Sequence, residues 1–373
     1  MTLDVPPRRG WRAPGRLTRA IALYVSGHGF GHAVRSAEVA RALLARGARV
    51  LLRTDAPLWL FPSEVEALAA VEGAPVDVGV AQNGGLDLDI DETRRRWARF
   101  ARAFNELAWR EATVLRDSRV DLVLGDIPPL AFAAAHAAGI PSYALANFGW
   151  DWIYAAWPGF EQFVARVQHA YGQADGLLRL PLHSPAPDAF PAFRQIVDVP
   201  LIARRASRPG SEVRAELDVA PAARLVLLSF GGFQAQGLTV EALADWPDYL
   251  FVVSTDEAGL PPNVRRLPER QLDYPSLLAA CDAIVTKPGY GIAADCLANR
   301  VPVLYTDRGP FREYEVLAHA LETLGQARYA PHADVLAGQL GPHLDALLTQ
   351  STAWADLAID GAERVADLLL NLA

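Results

Sequence analysis

The chain has 373 residues and a formal net charge of −8, with 51% hydrophobic and 21% charged residues. This composition excludes a disordered or collagen-like chain, and the acidic balance gives no indication of nucleic-acid binding. Cys281 and Cys296 are the only cysteines, which excludes a disulfide framework and favours a reducing, cytoplasmic compartment. The length fits two domains of roughly 150–200 residues each, and no apolar run approaches the ~18–20 residues that span a bilayer.

Residues 1–18 form a basic, Pro- and Gly-rich leader without the apolar segment of a secretory signal. A solvated tail is the favoured interpretation, and weak contact with an anionic membrane surface is the alternative.

The first half alternates strands and helices. Residues 21–27 form an apolar run that ends in glycine, which predicts a buried parallel strand. A helix closed by Gly47 and a strand over 48–55 follow, as in a βαβ unit. Residues 82–92 predict an acidic loop, and 93–116 predict a long helix with aromatic residues at helical spacing. Strand, helix and strand then recur over 120–147, so we expect a doubly wound parallel sheet.

A linker rich in Arg and Pro over 197–210 introduces a second α/β series, and residues 353–372 predict an amphipathic helix. The predicted organisation has four parts. They are a leader (1–18), an N-terminal α/β domain (19–200), a C-terminal α/β domain (201–350) and a final helix (351–373).

The segment GHGFGHAVR (27–35) joins a predicted strand to a predicted helix. Its glycines allow close approach of a ligand, and the positive helix end would keep His32 neutral, as a general base requires. A capping or core histidine is the alternative for His32, and His28 is the rival base. Asp126 follows a strand at the sheet edge where such folds place their sites, and it could orient a histidine or simply cap a turn.

Two glycine-containing loops in the second half suit a diphosphate. Lys287, the only lysine in the chain, lies in one of them. Polar residues downstream could contact a ribose or a sugar, although each also suits an ordinary loop, a solvated helix position or a surface ion pair. The candidate residues for a ligand with a diphosphate, a ribose or a sugar are Gly231, Gly232, Lys287, Gly289, Gly291, Asp295, Arg308, Glu313 and Glu315.

Residues 148–163 are unusually aromatic. Trp150, Asp151 and Trp152 are candidate acceptor-binding residues, because aromatic rings form platforms for sugars and apolar molecules. Ordinary core packing is the equally weighted alternative.

These motifs, in this order, resemble the GT-B glycosyltransferases over about residues 20–370. The strings GHGFGHAVR, NFGWDWIYA and VDVPL are similar to the glycosyltransferase-like N-terminal domain of L-arabinokinases. More distant likeness is to the lipid II-forming N-acetylglucosaminyltransferase and to plant UDP-glycosyltransferases. The kinase half of the arabinokinases, the tryptophan-led box of the plant enzymes and their Asp/Glu-Gln pair have no counterpart in this sequence.

The resemblance implies two Rossmann-like domains facing a cleft, with the final helix crossing back. It implies that the N-terminal domain (19–200) binds the acceptor and that the C-terminal domain (201–350) binds the nucleotide-sugar donor. It places His32 at the catalytic histidine, Asp126 near its orienting aspartate, and Asp295 at an acidic residue that binds ribose. It implies an inverting, metal-independent transfer without a cofactor, from a nucleotide sugar, here taken as a UDP-sugar, to a small-molecule, glycan or lipid-linked hydroxyl. A non-catalytic nucleotide-sugar sensor and a sugar-nucleotide epimerase are the alternatives.

Overall fold

The structure is a computed structural model that describes residues 18–67, 75–83, 87–230, 237–255, 258–267 and 273–372. The predicted leader lies outside this part of the chain apart from Thr18, and so do Gly231 and Gly232.

Two parallel sheets organise the described residues. The first half contains, in chain order, β1 (Ala20–Val25), α1 (Phe30–Ala45), β2 (Arg49–Thr54), β3 (Glu66–Ala67), β4 (Ala81–Asn83), β5 (Asp87–Asp89), α2 (Ile90–Asp117), β6 (Leu122–Asp126), α3 (Pro129–Ala138), β7 (Ser142–Ala146), α4 (Trp150–Tyr154), α5 (Glu161–Tyr171), β8 (Gly176–Arg179) and β9 (Ile196–Asp198). Seven of these strands pair in the order β3-β2-β1-β6-β7-β8-β9. The central strands β1, β2, β6, β7 and β8 are short, mostly apolar and largely buried, as covered parallel sheets require, whereas the edge strands β3 and β9 are largely exposed.

The second half repeats this plan. It contains α6 (Gly210–Glu216), β10 (Arg224–Leu228), β11 (Tyr249–Val253), β12 (Val264–Arg266), α7 (Tyr274–Ala280), β13 (Ala283–Thr286), α8 (Tyr290–Asn299), β14 (Val303–Tyr305), α9 (Glu313–Leu324), β15 (Ala327–Tyr329), α10 (His332–Leu336), α11 (Gly341–Leu348) and α12 (Gly361–Asn371). Six strands pair in parallel in the order β12-β11-β10-β13-β14-β15. The predicted α/β class with two doubly wound sheets is confirmed.

The strand orders determine where a crevice opens. β1 lies between β2 and β6, and β10 lies between β11 and β13. Chain connections leave such a strand and its neighbour in opposite directions, so a crevice forms beyond their carboxyl ends. The GHGFGHAVR segment follows β1, Asp126 is the last residue of β6, and Lys287 follows β13.

Two predicted elements differ from the structure. The predicted loop over 82–92 is wrong for the described residues of this range, because β4 and β5 pair in antiparallel register and Asp89 caps α2 by accepting a hydrogen bond from the Glu92 amide (2.7 Å). The final helix begins at Gly361 rather than near residue 353. The preceding segment is extended because it pairs with the interdomain linker, where the Leu201 amide donates to the Ala358 carbonyl (3.0 Å).

The final helix α12 crosses back to the first half, as predicted. It packs along α1, and the two helices share one apolar core that includes Leu43 and Leu369. The Arg46 guanidinium bonds Asp367 (2.6 Å), and Arg19 donates to the Leu369 carbonyl (2.5 Å). Helix α12 therefore stabilises the position of α1, the helix that carries His32.

Candidate active site

His32 and Asp126 are brought together across 94 positions of sequence. Val25 and Asp126 are register partners at the ends of β1 and β6, and His32 lies in the first turn of α1. The His32 Nδ1 atom lies 2.8 Å from Asp126 Oδ1, and both side chains are buried. The predicted proximity of these two residues is therefore present in the structure, and their catalytic roles remain a prediction.

Asp126 has two further partners on α1. The Arg35 Nε–H donates to Asp126 Oδ2 (2.7 Å), its Nη2 contacts Oδ1, and the Ser36 hydroxyl donates to Oδ2 (2.9 Å). Burial alone would raise the pKa of Asp126, but the charges of Arg35 and then His32 outweigh burial and lower the pKa to about 2. The carboxylate is therefore ionised throughout the physiological range.

These partners assign the His32 tautomer. Nδ1 lies 2.8 Å from Asp126 and 3.1 Å from Arg35 Nη2. A guanidinium only donates and a carboxylate only accepts, so Nδ1 can satisfy one of them. The shorter contact to the ionised acceptor favours a proton on Nδ1, which leaves the lone pair of the neutral ring on Nε2. That is the form in which a histidine can remove a proton from an alcohol.

A buried chain of hydrogen bonds leads from this pair into the second half. Arg35 Nη1 donates to Asn147 Oδ1 (2.7 Å), and Asn147 Nδ2 donates to Glu313 Oε1 (2.7 Å). Arg308 Nη1 then donates to Glu313 Oε2 (2.8 Å). The Arg35 guanidinium also lies 4.8 Å from the centroid of the Tyr290 ring at the start of α8. The carboxyl edges of the two sheets thus meet through side-chain contacts.

The second-half side of this junction is cationic. Lys287 follows β13 and is 8% exposed. Burial and then the charge of Arg308 lower the pKa of Lys287 to about 7. Arg308, after the neighbouring strand β14, is held by the Pro288 carbonyl (2.9 Å) and Glu313, yet its buried Nε–H has no partner among the described residues. A buried arginine N–H without a partner, beside a lysine on which the charge of that arginine acts, is typical of an anion site.

The side chains at the start of the aromatic segment are buried and do not form an open surface. Trp150, Asp151 and Trp152 are at most 5% exposed and lie in or beside a core cluster. The Trp150 ring packs against both histidines of the glycine segment, with centroids 5.2 Å from His28 and 6.0 Å from His32. Burial raises the pKa of Asp151 to about 6. Beside the glycine segment, the exposed ring of Trp59 (56% exposed) makes edge contact with Phe30 (5.8 Å).

Other predicted donor residues have protein partners. Asp295 accepts from the Arg204 amide (2.8 Å) and pairs with its guanidinium (2.6 Å). Gly289 caps α8, and a Cβ on Gly291 would come 3.2 Å from Gly31 Cα, so Gly291 serves the close approach of the two halves. Glu315 is exposed and lies two positions from Glu313, on another face of α9. Ribose and diphosphate contacts by these residues remain predictions.

Three residues around the His32–Asp126 pair escaped sequence reasoning. They are Arg35, Asn147 and Asp77. Arg35 stands one helical turn after His32, a spacing that could have indicated it, whereas nothing local distinguishes Asn147. Asp77 accepts from Trp150 Nε1 (3.1 Å), and burial raises its pKa to about 7.

Asp77 yields a prediction about stability and pH. The folded state holds a proton that the unfolded carboxyl loses near pH 4, so Asp77 destabilises the fold progressively between pH 4 and 7 and fully above that. We expect Asp77→Asn to raise the free energy of unfolding by about 1–3 kcal/mol at pH 8 and to change it little at pH 4. Urea denaturation at both pH values measures this, with exposed Asp218→Asn as the matched control. An equal effect at the two pH values would contradict the prediction.

Comparison with known proteins agrees with this geometry. No family model matches the chain. A glycotransferase of kitacinnamycin aligns over 96% of this chain and 100% of its own, with a TM-score of 0.64 and 21% identity. The calicheamicin glycosyltransferase CalG4 aligns over 96% and 98%, with a TM-score of 0.63 and 16% identity. The chain has the GT-B glycosyltransferase fold.

A solved plant enzyme shares this fold, and one curated protein is similar to the chain in sequence. Arabidopsis thaliana UGT89C1, solved with UDP, aligns over 95% of this chain and 99% of its own at a TM-score of 0.56 and 16% identity. L-arabinokinase of Arabidopsis thaliana is 33% identical over 363 residues, which cover 94% of this chain and 34% of that protein. The chain thus spans about a third of the length of this curated relative. No helix within the described part of the chain is long and apolar enough to cross a membrane.

Proposed function

We propose that the protein is an inverting, metal-independent glycosyltransferase that moves a sugar from a UDP-sugar to an acceptor hydroxyl. One observation carries the proposal: hydrogen bonds join the buried His32–Asp126 pair (2.8 Å) to Arg308 in the opposite half. We call Arg308 and Lys287 together the cationic wall. A base on one side and anion-binding cations on the other are what sugar transfer from a nucleotide sugar requires.

In the proposed reaction, His32 Nε2 removes the proton of the acceptor hydroxyl as the oxygen attacks the anomeric carbon. The bond from that carbon to the diphosphate oxygen breaks, and the nucleoside diphosphate leaves from the opposite face, which inverts the configuration. Asp126 stabilises the resulting imidazolium through Nδ1–H. Lys287 and Arg308 neutralise the departing diphosphate, a task that a metal ion performs in other enzymes.

The donor assignment is supported by the solved neighbours rather than decided by them. UGT89C1 was solved with UDP and VinC with dTDP. In our proposal the diphosphate lies against Gly231, Gly232 and Gly289. Asp295 binds the ribose after its hydrogen bonds to Arg204 break. The acceptor binds in the first half, a cytoplasmic location is retained as a prediction, and no cofactor is required.

A thermal-shift screen tests the donor site directly. UDP, GDP, dTDP, ADP and their sugar conjugates are compared, since a ligand at 100 times its Kd stabilises a protein by about 2.7 kcal/mol. A shift confined to uridine nucleotides supports the proposal, and no shift with any of them overturns it. Binding without turnover would favour a sensor, and interconversion of donor sugars without acceptor would favour an epimerase.

The lowered pKa of Lys287 predicts how donor binding depends on pH. The amine is protonated below pH 7 and largely neutral above it, so binding a diphosphate at high pH requires proton uptake. We expect the Kd of UDP-glucose, whose diphosphate does not titrate in this range, to rise about tenfold from pH 6.5 to 9. Calorimetry in buffers of different ionisation enthalpy measures both the affinity and the proton uptake.

Lys287→Met should weaken UDP-glucose binding at pH 6.5 and flatten this profile, because the titrating cation is removed. The matched control is Arg328→Met, which removes an exposed cation from β15 in the same half. A pH-independent Kd in the unaltered protein would refute the role of Lys287.

A further inference from the structure

His28 stands four positions before His32 in the same glycine segment, and its hydrogen bonding is the reverse of that of His32. The Val80 backbone N–H donates to His28 Nδ1 (3.2 Å). A backbone amide can only donate, so Nδ1 must carry the lone pair. In the neutral ring the proton then lies on Nε2, which makes the free end of His28 a donor and not a base.

The contact from Val80 is built into the surrounding structure. Gly79 has a φ of +56°, and a Cβ at this position would come 2.7 Å from His28 Cβ. Only glycine therefore lets the chain pass close enough to deliver the Val80 amide. The buried Tyr154 hydroxyl donates to the Gly79 carbonyl (2.7 Å) and holds this segment in place.

His28 lies where the two halves meet. Its ring is in edge contact with Trp150 of the first half and is stacked at 6.0 Å on Phe311 of the second. The Arg308 guanidinium lies 4.2 Å from the centroid of the same Phe311 ring. Burial, and then the charges of Arg308, His32 and Lys287, hold the pKa of His28 well below its usual value. His28 is therefore a neutral group beside the cationic wall.

We propose that His28 is a catalytic hydrogen-bond donor, whose Nε2–H binds a phosphate oxygen of the departing nucleoside diphosphate beside Arg308. This inference rests on the proposed function. No proton is transferred from His28: the Nε2–H bond stays intact while negative charge develops on the leaving oxygen. The two histidines of one segment then divide the work, His32 as the base and His28 as the neutral donor.

Side-chain substitution separates a donor from a base. Glutamine places an amide N–H near the position of histidine Nε2 but cannot act as a base. We expect His28→Ala to lower kcat by about 10²-fold with a small change in KM, as for loss of one oxyanion donor. His28→Gln should recover at least half of that loss on a logarithmic scale. Equal losses in the two variants would overturn the donor role.

Histidine side-chain nitrogen NMR gives a second readout that needs no turnover. His28→Gln identifies the His28 resonances among the 8 histidines. We expect an unprotonated Nδ1 and a protonated Nε2, and a shift of Nε2–H on addition of UDP. The role of His28 alone would be overturned by a proton on Nδ1, or by an Nε2–H resonance that does not shift in protein that binds UDP. Absence of any UDP-dependent change in the spectrum would overturn the proposed function itself, and the donor role with it.

Discussion

Replacing His32 by glutamine should lower turnover of the donor by at least about 10²-fold while leaving nucleotide affinity within a factor of about three. Glutamine preserves much of the volume of the buried ring and can still face Asp126, but it has no basic nitrogen to take the acceptor proton. The measurement is release of UDP from the sugar donor in single-turnover mode, with UDP affinity measured in parallel by calorimetry.

His136→Gln is the matched control for this experiment, because His136 is an exposed histidine on α3 in the same half of the chain. It should behave as the unaltered protein does. If His32→Gln released UDP at an undiminished rate, the base would have to be sought elsewhere and the His32–Asp126 pair would be structural.

Arg35→Met should destabilise the fold by about 3–5 kcal/mol, the largest effect expected from a single substitution in this region. Arg35 is 2% exposed and supplies two donors to Asp126 and one to Asn147. Methionine fills similar space but leaves the Asp126 carboxylate buried without its main counter-charge. Urea unfolding at pH 7 measures the loss.

A double variant distinguishes loss of charge balance from loss of packing. Arg35→Met combined with Asp126→Asn removes both charges, so it should be more stable than Arg35→Met alone by about 1–3 kcal/mol. Additive losses would mean that the ion pair contributes nothing beyond packing.

In the unaltered protein, the depressed pKa of Asp126 contributes stability that is present above pH 4 and is lost as pH falls from 4 towards 2.

The central geometry could be predicted from the sequence because it follows from strand order. His32 and Asp126 both follow or end apolar parallel strands, and adjacent parallel strands bring their carboxyl ends to one edge. The glycines near His32 and Lys287 predicted places where a ligand approaches the backbone closely. For Gly31 and Gly291 that neighbour is the opposite half of the same chain, which no local pattern distinguishes from a ligand.

Long-range pairing explains what could not be predicted. Asp295 looks like a free acidic residue on a helix until the linker places Arg204 on it, 91 positions away. The tail before Gly361 has helical composition, yet pairing with the linker keeps it extended. Trp150 and Trp152 could have formed an open platform or a core, and packing of α4 beneath both histidines decided for the core. Arg35 joins His32 and Asp126 through contacts that only the folded chain brings together.

The single lysine of the chain offers a position for selective chemical modification in the cleft where we propose that the nucleotide sugar binds. A chain of this length usually presents many surface amines, whereas here Lys287 is the single side-chain amine and its pKa of about 7 leaves it largely unprotonated at pH 8. The neutral amine is the nucleophilic form. An amine-selective acylating reagent therefore has one side-chain amine to modify, beside Arg308, where we propose that the diphosphate binds. Occupancy of that site can be followed by mass spectrometry as protection of Lys287.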